Sequence, residues 1–102
     1  VKEFDRFFKD IPGFKSRAMF GGHGLYKHGV IFGLFAEGSI YFKVDATNIK
    51  EYEKEKSAPF TYIGASGKPI SMSYWKVPDA ILKNKKVLAE WIEKSLAIRA
   101  RR

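Results

Sequence analysis

Phe4, Phe7, Phe8 and Ile11 fall at i, i+3, i+4 and i+7, the spacing of one helical face. Pro12-Gly13 stops that helix. Beyond it the period shortens. Arg17–Phe20 reads as a strand, interrupted at Gly21-Gly22 by a bulge or bend and resumed through Leu25-Tyr26. Lys27-His28-Gly29 is a turn, Val30–Ala36 a strand, Glu37-Gly38 a tight turn and Ile40–Val44 a further strand. The run Val30–Ala36 is apolar on both faces, whereas a strand with one buried face alternates. It is therefore expected at the centre of a sheet, with its second face covered by another layer or another subunit.

Asp45 is placed to cap a helix reaching about Lys56. Its apolar positions are Ile49 and Tyr52, and the rest is Glu and Lys, so a surface helix with little core is expected. Phe60–Ile63 and Pro69–Trp75 read as a hairpin joined through Gly64-Ala65-Ser66-Gly67. In its second strand Ile70, Met72 and Tyr74 alternate with Ser71 and Ser73, which predicts one buried and one wetter face. Pro78-Asp79 opens a short helical turn. Asn84 suits the N-cap of a long last helix, whose buried face is Leu88, Trp91, Ile92 and Leu96.

The order α-βββ-α-ββ-α predicts an α+β domain with helices packed on an antiparallel sheet. One domain spans 1–102, without linker or repeat. Nine phenylalanines supply a core without disulfides or metal. The absence of cysteine excludes a thiolate metal site and a cysteine nucleophile, and is compatible with a reducing cytoplasm. No apolar run approaches the roughly 18 residues of a membrane span. The net charge is +8, and residues 85–102 alone carry six basic and two acidic side chains. A basic end favours a polyanionic partner through counterion release and steering.

Catalytic chemistry is not assembled in the sequence. Phe20-Gly21-Gly22-His23-Gly24 lacks the spacing and lysine of a phosphate loop, and it leads into strands instead of a helix. His23 and His28 are the only histidines, with no spacing for a metal. His28 belongs to a solvated turn; His23 has no identifiable nucleophile to serve. Ser66, Ser71 and Ser73 lie in no nucleophile elbow. Glu51, Glu53 and Glu55 sit among lysines as an ion-paired helix face. Tyr62, Tyr74 and Trp75 near Lys68 and Lys76 fit either a single-strand nucleic-acid platform or ordinary core packing. The expectation is thus no catalytic residue, no metal and no cofactor.

Arg17-Ala18-Met19-Phe20-Gly21-Gly22-His23-Gly24-Leu25-Tyr26 resembles the Arg-x-Met-Phe-Gly-Gly-x-Gly-(Ile/Leu)-Tyr signature of the N-terminal domain of TfoX/Sxy proteins. Ile40-Tyr41-Phe42-Lys43, Phe60-Thr61-Tyr62, Gly67-Lys68-Pro69, Met72-Ser73-Tyr74 and Val77-Pro78 resemble its later blocks, in order. The resemblance implies a secretion-chaperone-like α+β architecture whose members often pair into dimers. It implies a non-enzymatic regulator of bacterial natural competence, cytoplasmic and without cofactor. The implied partner is a transcription factor of the cyclic-AMP receptor type, with DNA contacted directly or through that factor. The regulators carry a second, helical domain that this sequence does not include, so a stand-alone form or an excised domain is expected.

The residues assigned to polyanion or partner contact are Lys94, Arg99, Arg101 and Arg102 on the last helix, with Arg17 and Lys68 in addition. For Arg17 and Lys68 the competing role is to fix a turn or pair with a carboxylate. Two other readings stay open. One is a dimeric, chaperone-like protein-binding module; the other is a small enzyme using His23 or Tyr74 in a pocket.

Overall fold

A computed structural model describes residues 4–19 and 21–100. The elements run α1 Asp5–Phe8, β1 Phe14–Met19, β2 Gly22–Lys27, β3 Val30–Ala36, β4 Ser39–Lys43, α2 Ile49–Lys54, β5 Pro59–Ile63, β6 Pro69–Lys76, α3 Asp79–Leu82 and α4 Lys85–Ala100. The six strands form one antiparallel sheet in the order β1-β2-β3-β4-β6-β5. The fold is α+β, as the sequence predicts.

The sequence counts three strands before α2, and the structure has four. The interruption at Gly21-Gly22 is a full reversal: Met19 pairs with Gly22, and the register continues to Phe14 opposite Lys27. Gly21 has φ +77°, which glycine adopts at no steric cost. The first strand also starts at Phe14 instead of Arg17. His28 N–H donates to Gly13 O at 2.9 Å, which ties the two ends of that hairpin together. The next turns, His28-Gly29 and Glu37-Gly38, have positive φ at both residues, the type I′ geometry that suits two-residue hairpins.

β3 is third of six strands, so its central position is borne out. Its apolar run on both faces has a local cause. Leu25 pairs with Gly33 and Tyr26 with Ile31, so Phe32 is an extra residue in β3. Phe32 packs into the core with Phe8, Phe14 and Phe42, at ring-centroid distances of 5.8, 6.3 and 5.4 Å. Gly33 stays on the same face, opposite Phe42. A Cβ at Gly33 would lie 2.5 Å from Tyr41 O, so the close backbone approach requires glycine.

The core forms on one face of the sheet. Phe4, Phe8, Leu25, Phe32, Phe42, Tyr52, Leu88 and Ile92 are essentially inaccessible and belong to one cluster. α4 is the main cover, lying on β3 and β4. Asn84 caps it: Val87 N–H donates to Asn84 Oδ1 at 3.2 Å. Leu88, Trp91 and Ile92 are buried, and Ser95 joins them by donating its hydroxyl to Lys43 O at 2.8 Å.

α2 departs from expectation twice. It begins at Ile49, because Asp45 Oδ1 accepts from Thr47 N–H at 2.8 Å and closes a turn ahead of the helix. Buried Asn48 completes that turn, accepting from Asp45 N–H at 2.8 Å and donating to Lys43 O at 3.2 Å. The helix is also more than a surface element. Tyr52 is 1% exposed, and its ring lies 4.4 Å from Trp91.

Candidate functional site

The last helix was expected to carry the polyanion contacts, and two of its lysines, Lys85 and Lys94, face carboxylates. Lys94 Nζ lies 2.6 Å from Glu51 Oε1, so α2 neutralises it locally. Lys85 pairs with Asp10 at 2.8 Å, which holds the Asp10 carboxyl below its usual range. Lys27 pairs with Glu93. α4 continues through Arg99 to Ala100, while Arg101 and Arg102 lie outside the described residues. Lys68 is exposed beside the β5–β6 turn.

His23 faces the helices. Its ring lies 5.3 Å from Phe4 and 6.3 Å from Phe35, and its buried Nδ1 has no hydrogen-bond partner among the described residues. A pocket of about 220 Å³ opens nearby, lined by Phe4, Phe7, Phe35, Ile40, Val77 and Leu82 among others. Neither His23 nor Tyr74 lines it. The two groups offered for an enzyme lie on opposite faces of the sheet. His23 stands opposite Phe35 on the helix side, and Tyr74 stands opposite Lys43 on the other. His28 is exposed in its turn, as expected. Among the described residues, no group of three or more His, Asp or Glu could hold a metal ion.

The second face of the sheet is where the sequence expectation fails most informatively. The alternation in β6 is real, but its apolar side is not the side under the helices. Trp75 pairs with Phe42 and packs on the core. Tyr74, opposite Lys43, therefore points the other way, and beyond the register shift of the β5–β6 pairing Ile70 is 42% exposed. Tyr62 pairs with Ile70 and is 44% exposed. Of the three aromatics weighed in the sequence, only Trp75 serves the core. Among the described residues no helix covers this face.

Register fixes what lies there. One row crosses five strands: Arg17 opposite Gly24, Gly24 opposite Leu34, Leu34 opposite Tyr41, Tyr41 opposite Lys76. A second row sets Lys15 opposite Tyr26 and Tyr26 opposite Ile31. The Arg17 guanidinium lies 5.9 Å from the Tyr26 ring centroid, within cation–π range. Tyr41 reaches over β6 to meet Phe60 edge-on at 5.1 Å, and Phe60 stacks near Tyr62 at 6.5 Å. No Asp or Glu occurs in any of the six strands. Among the described residues no carboxylate pairs with Arg17. A basic, ring-bearing face could be sought in the sequence by tracing charge strand by strand; whole-chain charge hides it, because every acid lies in helices, turns or ends.

Comparison with known families resolves the identity of the domain. The model of the TfoX N-terminal domain matches residues 6–98. The chain belongs to the TfoX N-terminal domain family. The match spans the glycine-rich β1–β2 hairpin, the β5–β6 hairpin and nearly all of α4, so the TfoX domain and the folded unit coincide. No curated protein matches the chain. In TfoX terms, the signature stretch Arg17–Tyr26 is the hairpin at one edge of the sheet, with Arg17 and Tyr26 on its open face and His23 and Leu25 on its core face. No helix of the described residues is long and apolar enough to cross a membrane.

Proposed function

We propose that this TfoX N-terminal domain is a non-enzymatic regulatory module that works by binding. Its partner is a transcription factor of the cyclic-AMP receptor type in the cytoplasm, and DNA is met beside or through that factor. The observation that carries the reading is the family match over residues 6–98. The separation of His23 and Tyr74 onto opposite faces supports it, because neither has the other as an acid–base partner.

The test is a binding titration with three purified components: the domain, the receptor with cyclic AMP, and a labelled promoter duplex. The domain is expected to tighten the receptor–duplex complex about fivefold or more, the lower end of ordinary coupling between sites. An unchanged affinity at saturating domain contradicts the reading. Without the receptor, any direct contact to duplex through the end of α4 is expected to weaken steeply with salt. Arg99→Ala with Arg101→Ala should flatten that dependence. Lys94→Ala should leave it nearly unchanged, since Glu51 already engages that charge.

A second reading, a dimeric chaperone-like module, is favoured by the uncovered apolar residues of the sheet. It requires a dimer in sedimentation analysis; a monomer across the accessible concentration range contradicts it.

A further inference from the structure

The open face of the sheet combines two features. It has rings that are only partly covered, and it has cations with no carboxylate on any strand. The row from Arg17 through Tyr41 to Lys76 crosses four inter-strand gaps, about 19 Å at the usual strand spacing. That length spans about five to six steps of a strand at a stacked rise of about 3.4 Å. Arg17 marks one end of the row and Lys76 the other, while Tyr41, Phe60 and Tyr62 cluster toward the Lys76 end.

Each candidate occupant can be weighed against this pattern. A second copy in an isologous contact would bury Arg17 and Lys76 with no strand carboxylate to pair them. An acidic peptide would satisfy Arg17 and Lys76 but leaves the rings unused. A duplex offers phosphates, but its bases are stacked inside and cannot reach a ring. A single strand offers both phosphates for the cations and π-faces for the rings. We propose that the open face of the sheet binds single-stranded nucleic acid, with phosphates on Arg17 and Lys76 and bases against Tyr41, Phe60 and Tyr62. The proposal stands apart from the coactivator reading, and its test contains no transcription factor.

The full chain is titrated against a labelled 12-nucleotide single strand, the duplex of the same sequence, heparin and polyglutamate, from about 50 to 300 mM salt. The single strand is expected to bind at least about fivefold more tightly than the duplex. Phe60→Ala is expected to weaken the single strand about 5- to 100-fold and leave heparin unchanged, because only a base uses the ring. Arg17→Gln with Lys76→Gln is expected to lower the salt slope by about 1.4, at about 0.7 per phosphate contact. Thermal unfolding verifies that each variant is folded. If Phe60→Ala fails to fold, Tyr62→Ala replaces it, since that ring is 44% exposed. Four results overturn the proposal: duplex binding as tight as single strand, folded ring variants without effect, polyglutamate competing as well as the oligonucleotide, or a dimer broken by the same substitutions.

Discussion

Single residues in the glycine-rich hairpin do different jobs, which the sequence presents as one motif. Gly21 needs its left-handed backbone: φ is +77°, and nothing lies within 4 Å of where a Cβ would be. Gly22 needs space, because a Cβ there would run into the Phe35 carbonyl oxygen. Gly22→Ala should therefore cost about 1–3 kcal/mol, the usual range for forcing atoms into a packed site. Gly21→Asn should cost less than about 1 kcal/mol, because Asn tolerates the left-handed region. Urea unfolding of the two variants checks this, and equal losses would contradict the division of roles. Tyr52 supplies a second residue-scale test. Burial raises its phenol above the ordinary value; Glu51 adds to the shift and neighbouring Ser95 opposes it. Below about pH 10 the phenol is neutral in both states. Above that pH the unfolded chain ionises and the folded chain does not, so stability falls by up to about 1.4 kcal/mol per pH unit. Tyr52→Phe should lose less stability than wild type between pH 8 and 11 in urea titrations; identical losses would refute the assignment.

At the scale of elements, the sequence was most legible where a local rule has one outcome. Asn84 before an apolar 3.6-residue period predicted α4 and its cap, and both are present. Asn84→Ala should cost about 1 kcal/mol, readable in the thermal midpoint, and no change would mean that the cap contributes nothing. The turns at His28-Gly29 and Glu37-Gly38 were legible for the same reason. Three features were not. Two adjacent glycines in Gly21-Gly22 are compatible with a bend or a reversal, and only the pairing of Met19 with Gly22 decides. The bulge in β3 is invisible because Val30–Ala36 is apolar at every position, so a one-residue change of phase leaves the pattern unchanged. Asp45 has the chemistry of a cap, but Thr47 competes for its carboxylate and moves the helix start to Ile49. The β6 alternation shows a further limit. Periodicity separates two faces of a strand; which face receives the helices is decided by the neighbours, here Phe42 against Trp75.

The molecule as a whole is a sheet with helices on one side and a basic aromatic surface on the other. The helical side is where the charges are balanced: Lys27 with Glu93, Lys85 with Asp10 and Lys94 with Glu51. The strands have no carboxylate, so the positive excess of the chain is expressed on the sheet as well as at its basic C-terminal end. Family membership fixes what kind of domain this is, and the proposal for its open face rests on the arrangement of charge and rings. The candidate site was partly legible: Arg17, Tyr62 and Lys76 were singled out for binding, yet Tyr41 and Phe60 were not. Their grouping depends on a strand order, β4-β6-β5, that brings Tyr41 and Phe60 together across β6. The central claim is that binding occurs on the open sheet. It is tested most directly by backbone amide NMR during titration of the 12-nucleotide single strand. Binding on the open sheet gives the largest shifts at Arg17, Gly24, Leu34, Tyr41 and Lys76, with Leu88 and Ile92 in α4 nearly still. Shifts confined to the C-terminal end of α4, or none at saturating oligonucleotide, would contradict it.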